Sequence, residues 1–220
     1  LGVAVERAAY RPLREAPRMS VMISAIGVSY LLQNFATYYT GGLARPYPVI
    51  PFLTREVTIG SMTMKALTII TPVLTVILVV ALVLLIKRTK VGMAMRAVAK
   101  DQSTAQLMGI KINNVISITF VIGSFLAAVG SVLYFSNYEQ VTPMAGAMPG
   151  LKAFVAAVFG GIGSVPGAVL GAYVIGICET FIKANNDYAI FSNAFTFALL
   201  ILILVLKPNG LFGEKLAEKV

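Results

Sequence analysis

The stretch "ALTIITPVLTVILVVALVLLIKRTKVGMAMRAVAKDQSTAQLMGI", residues 66–110, decides the fold, because it joins two kinds of helix that belong in different solvents. Its first part, about 66–86, holds no Asp, Glu, Lys or Arg. At 1.5 Å per residue such a run crosses roughly 30 Å of hydrocarbon as a helix. The second part is basic and rich in alanine, with Lys87, Arg88, Lys90, Arg96, Lys100 and then Lys111. A chain leaves a membrane where that change occurs.

The same length criterion finds further apolar segments at about 19–40, 112–136, 165–183 and 188–206. Composition agrees: 58% of the 220 residues are hydrophobic and only 12% are charged, half the charge of an ordinary soluble domain. The fold class expected is an all-α, polytopic transmembrane helical bundle with at least five spans. "LGVAV", residues 1–5, reads as the tail of a further span, so the chain is expected to be a fragment that lacks upstream spans.

One segment departs from the pattern. In "MPGLKAFVAAVFGGIGSVPGAVLGAY", residues 148–173, Pro149, Gly150, Gly160, Gly161, Gly163 and Pro166 cut the apolar run into pieces. Pro149 suits the first turn of a helix and Gly160 its end, leaving a short helix of roughly 18 Å. Backbone breaks at membrane depth need protein or a water-filled cavity around them. Beyond the break, Gly167, Ala168, Gly171, Ala172 and Gly176 form a small-residue face, for plain helix packing or for a transport path.

Several chemistries are excluded. There is no histidine or tryptophan and one cysteine, Cys178, so His-based catalysis, metal clusters and a disulfide framework have no residues to build them. A membrane-embedded enzyme would need a nucleophile and base that the spans lack. No G-x-x-x-x-G-K-[ST] occurs, and the glycine-rich "GGIGSVPG" has no lysine to reach a phosphate, so no cofactor or nucleotide is expected on this chain. Energy for transport then comes from a partner or an ion gradient. A gradient-driven secondary transporter needs ionisable groups buried in its spans. The nearest is Glu179, and Lys183 lies one turn away to pair with it. A passive channel for small polar solutes also remains.

Basic residues orient the chain. Placing 1–18, 87–111 and the C-terminus in the cytoplasm puts 13 of the 18 basic residues there, Lys215 and Lys219 among them, against Arg45, Arg55, Lys65, Lys152 and Lys183 outside. The positive-inside rule selects that arrangement. It requires an even number of crossings between Lys111 and Lys207, so the short segment near 150–162 is expected to cross.

Within 87–111, Asp101 or Ser103 can cap a second short helix and Gly109 can end it. Arg96 and Lys100, four apart, share one face, while Ala94, Ala97, Ala99 and Ala105 keep the segment thin. Such an element can lie on anionic headgroups or dock another protein.

Resemblance favours the second. The run "GMAMRAVAKDQSTAQLMGIKINNVISITFVIGSFLAAVGSVLY", the later "LKAFVAAVFGGIGSVPGAVLGAYVIGICE", the closing "LKPNGLFG" and the early "VERAAYRPLR" and "ISAIGVSYLLQN" together resemble the inner-membrane permease subunit of branched-chain amino acid ABC importers. The likeness spans nearly the whole chain. It implies a single transmembrane permease domain over 1–220, with 87–111 as a cytoplasmic coupling segment seated on an ATP-binding cassette subunit. By carry-over, Gly92, Arg96, Ala99, Asp101, Ala105 and Gly109 occupy the coupling positions. It also implies a second permease subunit, an extracytoplasmic substrate-binding protein, membrane lipid rather than nucleic acid as surroundings, and ATP hydrolysis in separate subunits. An ABC permease for urea or amides has the same outline. Uncharged polar residues that could line the path are Gln33, Asn34, Asn113, Asn114, Ser117, Ser124, Ser131, Asn193 and Thr196, though helix packing suits each one singly.

Overall fold

The computed structural model describes residues 1–13, 18–48, 50–59, 62–138, 140–161, 163–184, 189–207 and 210. Lys215, Lys219 and most of the closing motif lie outside them. The chain divides into two compact units, Leu1–Met144 and Ala145–Val220.

The first unit is built on three long helices, α2 (Arg18–Thr40), α4 (Ala66–Arg88) and α7 (Ile112–Tyr138). A short N-terminal helix, α1 (Gly2–Val5), runs into a wider turn, Glu6–Tyr10, closed by the Arg11 N–H donating to the Glu6 carbonyl at 2.9 Å. That five-residue hydrogen bond is the mark of a π turn. Strand β1 (Arg45–Pro46) pairs antiparallel with β4 (Gln140–Val141), with Arg45 opposite Val141. Between them a one-turn helix α3 (Pro51–Thr54) precedes a hairpin of β2 (Glu56–Ile59) and β3 (Met62–Lys65), with Glu56 opposite Lys65. These pieces tie the C-terminal ends of α2 and α7 to the N-terminal end of α4. At the opposite end, α5 (Lys90–Lys100) and α6 (Gln102–Leu107) join α4 to α7.

Among the described residues, three helices are long and apolar enough to cross a membrane: Ala66–Arg88, Ile112–Tyr138 and Val165–Ala184. Hydroxyls inside α4 and α7 satisfy themselves in the manner an apolar solvent demands. Thr71 donates to the Leu67 carbonyl at 2.8 Å, Thr75 to Thr71 at 2.7 Å and Thr119 to Val115 at 2.8 Å. Outward-facing Val73, Ile77, Val80 and Leu84 make α4 a hydrocarbon surface. Segments expected at 19–40 and 188–206 appear as α2 and as α10 (Ser192–Leu206), while residues 185–188 lie outside the described set. The fold is the all-α transmembrane bundle that composition and hydropathy call for.

The second unit packs α8 (Ala147–Gly160), α9 (Val165–Ala184) and α10. Helix α8 begins two residues before Pro149 and ends at Gly160, as its glycines and proline predict. Ser164 starts α9 by accepting from the Gly167 N–H at 3.2 Å. The two helices touch backbone to backbone: a Cβ on Gly160 would collide with the Gly167 carbonyl, and one on Gly171 would lie 2.6 Å from the Ala156 carbonyl oxygen. Of the expected small-residue face, Gly167 and Gly171 make this contact, whereas Gly176 is open. Val155, Ala156, Phe159 and Ile175 form the core, with Phe197 and Leu199 against it. A Cβ on Gly210 would lie 2.6 Å from Gly161 Cα, so the end of α10 returns to the α8–α9 turn. Helices α8 and α10 therefore run one way and α9 the other.

Candidate functional site

The segment between α4 and α7 is a rigid elbow whose shape follows from three local devices. At its start Thr89 accepts from the Gly92 N–H at 3.0 Å and donates to the Leu85 carbonyl at 2.6 Å, capping α5 while holding it to α4. Gly92 is buried at this corner, where a Cβ would collide with the Leu85 and Ile86 carbonyls. Only glycine permits so sharp an exit from the span.

At the middle, Asp101 breaks the helix and caps the next. Its carboxylate accepts from the Ser103 N–H at 3.0 Å and the Thr104 N–H at 3.3 Å, and from the two hydroxyls at 2.7 and 2.8 Å. The Ser103 hydroxyl first, then that of Thr104, hold the Asp101 carboxyl well below the usual carboxylate range.

At its end Gly109, with φ +82°, supplies the left-handed residue. Its N–H donates to Gln106 at 2.9 Å and that of Ile110 to Ala105 at 3.1 Å, the paired bonds of a Schellman stop. Ile110 packs back on the same core as Ala105, which completes the motif.

Inside the elbow, Val98, Ala105 and Val115 are buried together, so α5 and α6 are fixed to the first turn of α7. Of the six residues carried over from the resemblance, Gly92 and Ala105 face this interior. Arg96 and Ala99 face outward, Asp101 is the central cap, and Gly109 is exposed at the stop. Three side chains that the alanine pattern did not reveal also face out: Met93 is 60% exposed, Leu107 88% and Met108 79%. Their signal was present in the spacing of Ala105 and Leu107, since residues two apart on a helix point to different sides. Lys87, Arg88, Lys90, Lys100 and Lys111 of the same segment are exposed as well. The elbow thus presents both large apolar side chains and positive charge.

Several of the polar residues that could line the path bond within their own helices. Gln33 donates to Ser29 at 3.1 Å and Asn34 to the Tyr30 carbonyl at 2.8 Å, both along α2. Ser131 and Thr196 donate to carbonyls of their own helices, Ala128 and Ser192. Ser117 and Ser124 face the N-terminal helix.

Two acids modify the expectation that spans hold no buried ionisable group. Glu6 is fully buried, and Ser117 Oγ donates to its Oε2 at 2.9 Å. Glu179 pairs with Lys183 at 2.6 Å as its spacing predicts, and also with Lys152 of α8 at 2.6 Å, which sequence separation had hidden.

Residues 2–204 match the family described as the branched-chain amino acid transport system permease component. The chain is 40% identical over 222 residues to the high-affinity branched-chain amino acid transport system permease protein BraD of Pseudomonas aeruginosa, covering all of this chain and 72% of that protein. It is 38% identical over 226 residues to the LivH permease proteins of the same description from Escherichia coli and Salmonella typhimurium, again with 72% of each covered. A more distant likeness, 30% over 138 residues, covers 60% of this chain and 42% of the ribose import permease protein RbsC of Haemophilus influenzae. No solved structure matches the chain.

Proposed function

This chain belongs to the family of branched-chain amino acid transport permease components, and from that premise we propose that it is one transmembrane permease subunit of an ATP-driven importer for aliphatic amino acids. It is a membrane-embedded transport component rather than an enzyme. Its partners are two ATP-binding cassette subunits inside, a second permease subunit beside it and a substrate-binding protein outside, with the assembly in the inner membrane.

The observation that carries this reading is the elbow Lys90–Gly109. An interfacial helix held by lipid needs only an amphipathic face, its apolar side chains at the acyl boundary and its basic ones at the headgroups, and no bracing of its own. Here Met93, Leu107 and Met108 project from an element braced by two caps and its own buried core. Rigid, exposed apolar groups together with charged ones are what a docking surface requires. Closure of the ATPases would displace the elbow as a unit and favour one of two packings of the bundle.

The antiparallel order of α8, α9 and α10 supports three successive crossings within the second unit, with the exit of α10 in the cytoplasm. Zwitterionic leucine, isoleucine or valine would pass between the two permease subunits.

The test is purification of the tagged permease with identification of any ATPase that accompanies it, followed by uptake in reconstituted vesicles. Uptake should stop on ATP depletion and survive collapse of the proton gradient. The reverse pattern would establish a secondary transporter. Competition of labelled leucine by isoleucine and valine, but not by urea, would fix the substrate class.

A further inference from the structure

Glu6 stands at the one π turn among the described residues, fully buried, in contact with α7. Three contacts fix the N-terminal helix to that span. A Cβ on Gly2 would overlap Ser124 Oγ, Ser117 Oγ donates to Glu6 Oε2 at 2.9 Å, and the rings of Tyr10 and Phe120 lie 5.1 Å apart. A buried carboxyl group is tolerated only where its partners are held in place, and its hydrogen bonds are directional in a way that apolar contacts are not.

Ser117 lies two residues from Val115, which is locked into the elbow beside Val98 and Ala105. Two residues on a helix are separated by about 200° of rotation, so one turn of α7 holds the elbow on one face and the N-terminal helix on the other. A rotation or tilt imposed on the elbow reaches Ser117 with no flexible link between.

We propose that Glu6 and Ser117 form the joint through which displacement of the elbow moves the helix Gly2–Tyr10, making Glu6 a positioning residue for coupling ATP hydrolysis to transport. The proposal rests on the reading of the elbow as the ATPase contact. The π turn is suited to this place, because its extra residue lets the backbone at Glu6 change pitch without breaking the helix.

The experiment uses the full permease assembled with its ATPases and binding protein in proteoliposomes, and reads ATP hydrolysed per leucine taken up. Ser117→Ala removes the donor. Ser117→Thr restores it, and Ser136→Ala, on the same helix but bonded to the Val132 carbonyl of its own backbone, is the control. Ser117→Ala should raise the ATP-to-leucine ratio by about threefold or more with the same ATPase co-purification and thermal stability, while Ser117→Thr and Ser136→Ala stay near wild type. Glu6→Gln, which keeps an acceptor oxygen, should fall between. A ratio for Ser117→Ala equal to wild type overturns the joint, as does a rise accompanied by an equal rise for Ser136→Ala. Hydrolysis in the wild-type assembly that is indifferent to leucine uptake overturns the reading of the elbow itself, and the joint with it.

Discussion

Ala105 and Leu107, two residues apart on α6, have opposite surroundings: Ala105 is 4% exposed against Val98 and Val115, and Leu107 is 88% exposed. A bulky residue at the first position and a truncation at the second therefore fail differently. Ala105→Phe overpacks the elbow at a cost of about 1 to 3 kcal/mol, and should open residues 101–111 of the isolated permease to proteolysis. Leu107→Ala should leave proteolysis unchanged. Loss of its burial against an ATPase, about 1 to 3 kcal/mol, should weaken co-purification by roughly 5- to 150-fold.

Arg96 and Ala99 separate docking from adhesion to lipid. Both face outward on α5. If headgroups hold the elbow, Arg96→Glu lowers its affinity for anionic vesicles by about 1 kcal/mol for each unit of basic charge lost, and Ala99→Phe, which adds apolar surface, raises it. In a fitted protein groove Ala99→Phe weakens ATPase binding by about 1 to 3 kcal/mol. Comparison of the two variants for vesicle binding and for ATPase co-purification gives opposite orders in the two cases, and the docking order is expected.

Asp101 yields a pH prediction. Its folded-state pKa lies below the ordinary value of 3.8, so its cap contributes fully above that value and is lost as pH falls through the lower, folded one. Between pH 5 and 8 the contribution is constant. Hydrogen exchange at the Ser103 and Thr104 amides, corrected for intrinsic rate, should be equally protected across that window. Asp101→Ala should abolish protection at every pH in it, whereas Asp101→Asn, which keeps an acceptor, should retain most.

Hydropathy made the long helices legible because a lipid solvent leaves few alternatives to a 20-residue apolar helix. The second cap and the stop of the elbow were also readable, since Asp101 and Gly109 act within a few residues of themselves. What escaped is non-local. Glu6 meets Ser117 across 111 residues and Lys152 meets Glu179 across 27, and no local period links them. The outward turn of Leu107 was missed for another reason. Alanines that thin a helix look alike in sequence whether they face a partner or, as Ala105 does, the segment's own core.

The last prediction concerns the ion cluster that joins α8 to α9. Glu179 and Lys152 have side chains only 14% and 23% exposed, whereas Lys183 is 50% exposed and lies on the same helix as its acid. A half-exposed i,i+4 pair is worth about 0 to 1 kcal/mol, so Lys183→Gln should barely alter the detergent-solubilised permease. Removal of one member of a largely buried pair leaves the other charge without its counter-ion, at about 3 to 5 kcal/mol when burial is complete and less here. Lys152→Gln should then lower the thermal midpoint by several degrees. Glu179→Gln should lower it further, because it leaves two lysines facing each other across α8 and α9. The double variant Lys152→Gln with Glu179→Gln should recover part of the loss. Size-exclusion monodispersity after stepwise heating ranks the four proteins, and an order in which Lys183→Gln falls below Lys152→Gln would mean that the helix-end pair, not the α8–α9 bridge, holds this cluster together.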